Sequence, residues 1–405
     1  MKEEEFSSSV GSATASDEPT SSKLADDNLQ QRWQDIVKRR SFLKGVSLAG
    51  ATLAAGTLMG KDLTAQTARS SRRLSKGDAA LLRFAAAAEL IEADLWQQYN
   101  ELGGVQGGNP AYIAALSNLD GDMPQYIADN TDDELSHAAF LNAYLISKGE
   151  QPVDLDAFRT LPSSEATGAK SIGRLTNLQK LNVDLSWYTR YRSGENSDLG
   201  AHFKGPFVIH HEPGIPISDT DTPPDTAIPS ASPQAPGSSF TGAAARMQAI
   251  ANTAGFHFAF IEQGGASLYP TLALKAKDPE VLRILVSIGG VEIDHFGLWH
   301  DKGGNAVAQP LALVTDPLTK LTFPDLNARN SELDQTNLIL PEPCDFVSKD
   351  LPQCSVIRPT TTRNGGAMAT IEAFTADLLF LGQSSAFFKV INQLAVEADS
   401  VPGGF

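Results

Sequence analysis

Cysteine is nearly absent: the 405 residues hold only Cys344 and Cys354, and no C-x-x-C pair. That excludes a zinc ribbon or a thiolate-held iron–sulfur cluster. Basic charge is also short. Thirty-two Lys and Arg face 48 Asp and Glu, for a net charge of −16. A surface so acidic has no footing on nucleic-acid phosphates or anionic lipid, which demand clustered Lys and Arg. No apolar run approaches the roughly 20 residues of a membrane span; the longest mild one, Gly45 to Met59, is short and rich in Gly, Ala and Thr. Aromatics are only 7% of the chain, and no period-two strand pattern of any length stands out. With 41% hydrophobic residues, what remains is a mainly α protein large enough to bury a full core.

The first 37 residues are rich in Ser, Asp and Glu without apolar period, the composition of disorder. The segment KRRSFLKGVSLAGATLAAGTLMG follows. Arg39 and Arg40, then Ser41, Phe42, Leu43 and Lys44 ahead of the mild apolar run, resemble a twin-arginine export signal, with Lys38 where Ser or Thr is usual. The resemblance implies cleavage near Ala65 or Ala68 and a folded protein delivered to the periplasm or the extracellular space. In such a compartment two nearby cysteines form a disulfide, so Cys344–Cys354 is expected to be bridged. Residues 1–68 are set aside as address, and the mature protein has no membrane span.

Four main helices are expected in the mature chain, at about 75–102, 122–148, 241–275 and 278–301. Ser75 with Asp78 reads as a capping box and Gly103-Gly104 as a stop. Asp278-Pro279-Glu280 is an N-cap, a first-turn proline and a first-turn acid. An insertion, 150–239, separates the second helix from the third; its segment SIGRLTNLQKLNVDLSWYTRYRSG is expected to hold one more helix, and its later half, from Gly205, to be irregular. Residues 303–405 are expected to be irregular and then to close on a helical pair spanning about 367–398. Gly264-Gly265 and Pro270 predict that the third helix kinks or ends there, leaving Tyr269 short of any site.

The chemistry lies in a repeated spacing. Glu134-Leu-Ser-His137 and Glu292-Ile-Asp-His295 each place a carboxylate and an imidazole on one helix face. The helix before each offers a glutamate with an aromatic two turns on: Glu89 with Trp96, and Glu262 with Tyr269. One Glu from each of two helices and Glu-x-x-His from each of the other two resembles the ligand set of the ferritin-like di-iron and di-manganese proteins. The segment AAELIEADLW is similar to the first helix of the ferritin-like and desiccation-related families.

That resemblance implies a ferritin-like four-helix bundle with a long insertion between its second and third helices and an additional C-terminal helical segment. It implies a dinuclear metal site held by Glu89, Glu134, His137, Glu262, Glu292 and His295, with Glu134 and Glu292 bridging and Glu92 one turn away. Carboxylate and imidazole without thiolate suit two iron ions or, as the alternative, two manganese ions. Four glutamates against two divalent cations leave the buried site near neutrality. The implied partners are those metal ions and a small oxidant, O2 or peroxide, and an oligomer is compatible with the fold. An enzyme of this kind would be an oxidoreductase acting on O2, peroxide or ferrous iron. A manganese catalase, or a non-catalytic stress or desiccation scaffold, competes with that reading. His257, His300 and the pair His210-His211 are read as structural or surface residues, since the ligand set is complete without them.

Overall fold

The computed structural model describes residues 73–186, 205, 207–221, 228–230, 237–305, 313–326, 347–348, 350–354 and 365–403. Arg39, Arg40, the Ala65 and Ala68 region and Cys344 lie outside the described residues, and with them the export signal and the Cys344–Cys354 bridge. Helix α1 spans Lys76–Gly103, a short α2 Pro110–Ser117, and α3 Met123–Ser147. Strands β1 (Leu181–Val183) and β2 (Ile209–Glu212) follow, then α4 (Gly242–Ala273), α5 (Pro279–Trp299), α6 (Ala367–Ala376) and α7 (Ser385–Asp399). The fold is therefore mainly α, and its four long helices are α1, α3, α4 and α5. Helix α1 packs along α3 and α4 along α5, while α7 lies on α1 and α6 on α7 and α4.

The helix starts follow local chemistry. Ser75 Oγ accepts the Asp78 amide at 3.0 Å and donates to its carboxylate at 2.7 Å. The other oxygen of Asp78 accepts the Lys277 amide at 2.9 Å, so one capping box also ties the start of α1 to the turn before α5. Asp278 caps α5 by accepting the Glu280 amide at 2.8 Å, with Pro279 where no donor is needed. Helix α4 is buried on all sides along almost its whole length, as its apolar sequence demands.

Two expectations fail here. Pro270 does not end α4 short of the site; the helix continues to Ala273. Proline falls in the last turn, where it sacrifices one backbone hydrogen bond while packing holds the rest. The extra helix in the insertion is also absent among the described residues: 171–186 run as turns into β1. That strand pairs antiparallel with β2, Val183 opposite Ile209 and Asn182 opposite His210. Side-chain anchoring explains why. Asp94, buried on α1, accepts the amides of Leu175 and Thr176 at 3.0 and 2.9 Å and the Thr176 hydroxyl at 2.7 Å, and Arg159 pairs with its other oxygen. Backbone amides spent on a carboxylate are not free to build a helix.

Candidate metal centre

The six side chains named from the sequence lie in one buried cluster at the middle of the four long helices. Glu89 comes from α1, Glu134 and His137 from α3, Glu262 from α4, and Glu292 and His295 from α5. They form two overlapping sets, Glu89, Glu134, His137 and Glu292, and Glu134, Glu262, Glu292 and His295, with the ligand atoms of each set within 4.8 Å of one another. Glu134 and Glu292 belong to both. His137 Nδ1 lies 3.3 Å from Glu89 Oε2, 3.2 Å from Glu134 Oε2 and 3.4 Å from Glu292 Oε1. His295 Nδ1 lies 3.1 Å from Glu134 Oε1 and 3.2 Å from Glu262 Oε2. Both imidazoles therefore turn the same nitrogen to the carboxylates.

Two glycines admit this crowding. A Cβ at Gly265 would overlap the Glu292 carboxylate, and one at Gly289 would sit 2.6 Å from Tyr269 Cβ. Gly290, beside it, faces open space. Close approach of α4 and α5 at the cluster thus needs Gly265 and Gly289 specifically.

A second layer holds the first. Asn130 Nδ2 donates to Glu134 Oε1 at 2.9 Å and Glu262 Oε1 at 3.0 Å, while its Oδ1 accepts the Trp299 indole N–H at 2.6 Å. The Tyr269 hydroxyl donates to Glu89 Oε1, so this residue does reach the cluster, contrary to expectation. His295 Nε2 lies 3.1 Å from Asp133 Oδ2, which orients the ring. Sequence reasoning missed Asn130 and Asp133. Asn130 stands one turn before Glu134 on the same face, a signal that only a known ligand would have made readable. Glu92 is also buried, and no sequence pattern assigned it a place in the cluster.

The electrostatics describe a site short of positive charge. Burial pushes Glu134 up to about 7, with the charges of Glu262 and Glu89 adding to it. Burial likewise lifts Glu292 and Glu92 well above the carboxylate range, and the neighbouring glutamates push the same way. Burial alone would pull His137 and His295 down, but the surrounding carboxylates override it and push both up. Glu89, raised by burial, ends below its ordinary value because His137, Glu134 and Tyr269 favour its charged form. Glu89 Oε2 and both oxygens of Glu292 are buried without a hydrogen bond. Orphaned buried carboxylate oxygens are costly, and a cation satisfies them directly. The donor set of carboxylate and imidazole therefore fits two hard or borderline divalent ions.

The other described histidines sit elsewhere. His210 and His211 are exposed on β2, His300 is buried at the end of α5, and His257 is buried on α4 against Tyr99 and Asp377. Among the described residues, no helix is long and apolar enough to cross a membrane.

The family model described as a ferritin-like domain matches residues 77–303, more than half of the chain. The chain belongs to that ferritin-like family. No curated protein and no solved structure gives a significant match.

Proposed function

We propose that this protein is an exported ferritin-like metalloprotein whose Glu89, Glu134, His137, Glu262, Glu292 and His295 hold two iron ions and handle O2 or peroxide. The observation that carries the reading is the pair of overlapping ligand sets sharing Glu134 and Glu292. Metal ions bound there would supply Lewis acidity and one-electron redox capacity toward a small oxidant.

The chain's own residues set the conditions. Asn130 clamps Glu134 and Glu262 and so fixes the carboxylates of two helices in register. Asp133 lies 3.1 Å from His295 Nε2 and would accept its N–H once a metal displaced the Nδ1 proton. The Tyr269 hydroxyl holds one oxygen of Glu89 and leaves Oε2 aimed at His137. Burial of all six side chains keeps bulk water out and strengthens each of these interactions.

Elemental analysis of the purified mature chain, with oxygen and peroxide assays, tests the proposal. Two irons with consumption of O2 or peroxide support it. Two manganese ions with O2 released from peroxide would point to the catalase alternative. A fully folded chain that takes up neither metal would leave the scaffold reading. Export rests on Arg39 and Arg40 and is tested separately below.

A further inference from the structure

The polar contacts of the cluster continue into an aromatic stack. Asn130, which touches two of the glutamates, accepts the Trp299 N–H. Trp299 stacks on Trp96 with ring centroids 5.4 Å apart and planes 22° apart, and Trp96 lies 5.8 Å from Tyr99. Beyond it, the Tyr99 hydroxyl lies 2.8 Å from His257 Nδ1, and His257 Nε2 lies 2.7 Å from Asp377 Oδ2. Trp96, Trp299, Tyr99, His257 and Asp377 are all fully buried or within 1% of it. A carboxylate can only accept from imidazole, so His257 carries its proton on Nε2 and offers the Nδ1 lone pair to the Tyr99 hydroxyl.

We propose that Trp299, Trp96 and Tyr99 form an oxidation relay ending on Tyr99. An electron leaves Tyr99 through Trp96 and Trp299 while the phenolic proton passes to His257 Nδ1. Tyr99 loses one electron and its O–H proton and becomes a neutral phenoxyl radical. His257 becomes an imidazolium facing the Asp377 carboxylate. The electron goes to a peroxide at the carboxylate cluster, whose O–O cleavage to water consumes two electrons and two solvent protons. Tyr99 supplies one electron and a ferrous ion held by the ligands would supply the other, and only for that source does the relay rest on the dinuclear reading.

Proton acceptors decide where the relay ends. The Trp96 indole N–H has no hydrogen-bond partner among the described residues, and the Trp299 N–H meets an amide oxygen with almost no basicity. Neither indole can shed its proton, so an oxidised indole remains a cation and draws the next electron. Tyr99 alone in the stack faces an imidazole. Burial, with Tyr112 and Asp377 adding, pushes the Tyr99 phenol well above its ordinary value, so it holds its proton until oxidation releases it. Tyr126 also lies near Trp299, 6.4 Å away, but the group beside its hydroxyl is the Asp122 carboxylate, a weaker base than imidazole. Such a relay draws oxidising equivalents away from the ligands and stores them inside the bundle.

The test uses the full chain with Trp33→Phe and Trp187→Phe, leaving Trp96 and Trp299 of its four tryptophans. Laser photoionisation of the indoles is followed by transient absorbance as indole radical converts to phenoxyl radical. A conversion that is first-order and independent of protein concentration is expected. Tyr99→Phe should abolish it, Tyr126→Phe should leave it intact, and His257→Gln should slow it roughly a hundredfold, the low end of what a positioned base contributes. Trp96→Phe, which keeps Tyr99 and its base, should slow it as well, and melting curves confirm that each variant folds. Conversion that persists in Tyr99→Phe, or an unchanged rate in His257→Gln, overturns the relay. In a second arm, peroxide is added to the metal-loaded chain and electron paramagnetic resonance seeks the same radical. Photochemical conversion without a peroxide-generated radical would overturn the cluster as the relay's electron sink, whereas failure of the chain to take up metal or to consume peroxide would sink the dinuclear reading and leave the photochemical relay standing.

Discussion

Gly265 on α4 lies directly against the carboxylate of Glu292 on α5: a Cβ at position 265 would come within 3.0 Å of Glu292 Cδ and closer still to its Oε2. A methyl group there competes for space with a shared member of both ligand sets. Gly265→Ala is therefore expected to displace Glu292 and lower bound metal from two ions per chain to one or none. Gly290→Ala, into open space on the next helix, is expected to keep full metal content and gain up to about 1 kcal/mol of stability from helix propensity. Metal content and thermal melting of the two variants, measured side by side, separate crowding from a general intolerance of alanine.

Metal removal should destabilise the protein. A ligand present at about 100 times its dissociation constant adds roughly 2.7 kcal/mol to a fold that alone can bind it. Chelation is expected to lower the melting temperature, and His137→Ala or His295→Ala to remove most of the metal-dependent gain. Glu92→Ala, which deletes a buried carboxylate outside the six-residue set, is expected to lose much less of it. A melting curve indifferent to chelator would exclude a metal at this cluster.

Asp94 should prove to be the anchor of the insertion. Its buried carboxylate accepts from Leu175, Thr176 and Gln98 and pairs with Arg159. Asp94→Ala leaves the Leu175 and Thr176 amides without their acceptor, at a cost of about 1–3 kcal/mol for each buried donor. Limited proteolysis should then cut first between residues 150 and 186 while the long helices stay intact.

Asp377 gives a pH dependence with a definite sign. Burial raises its carboxyl from 3.8 to about 6, against the pull of His257. A raised folded value means that its favourable contribution is complete below the unfolded value and is lost as pH rises through about 6. Relative to wild type, Asp377→Asn should therefore gain stability between pH 4 and pH 7, by up to about 3 kcal/mol at 1.36 kcal/mol per unit. Denaturant titrations of both chains across that range read the difference, which should flatten above the window.

Export is expected to depend on the arginine pair. Replacing Arg39 and Arg40 by Lys should leave the precursor in the cytoplasm with its metal content unchanged. Cell fractionation reads the outcome, and normal export of the double variant would refute the twin-arginine proposal.

The sequence by itself determined the four long helices and the shared face of each Glu-x-x-His pair, because i, i+3 spacing and caps act within a few residues and survive any tertiary arrangement. Glu-x-x-His on two helices gave the spacing, and the resemblance to the ferritin-like ligand set added a Glu from each helix before it, so that residues from four elements were named. Tertiary structure decided what depended on distance between elements. Pro270 read locally as a stop, yet burial on all sides of α4 carries the helix past it and sets Tyr269 on Glu89. The segment 171–194 was expected to hold one more helix, yet in its described part Asp94, 81 residues before Leu175, captures the Leu175 and Thr176 amides. His257 carried no local signal, since its partners Tyr99 and Asp377 lie 158 and 120 positions away. Periodicity is a property of neighbours in the chain, whereas a buried hydrogen bond is made by whichever donor and acceptor the packing brings together.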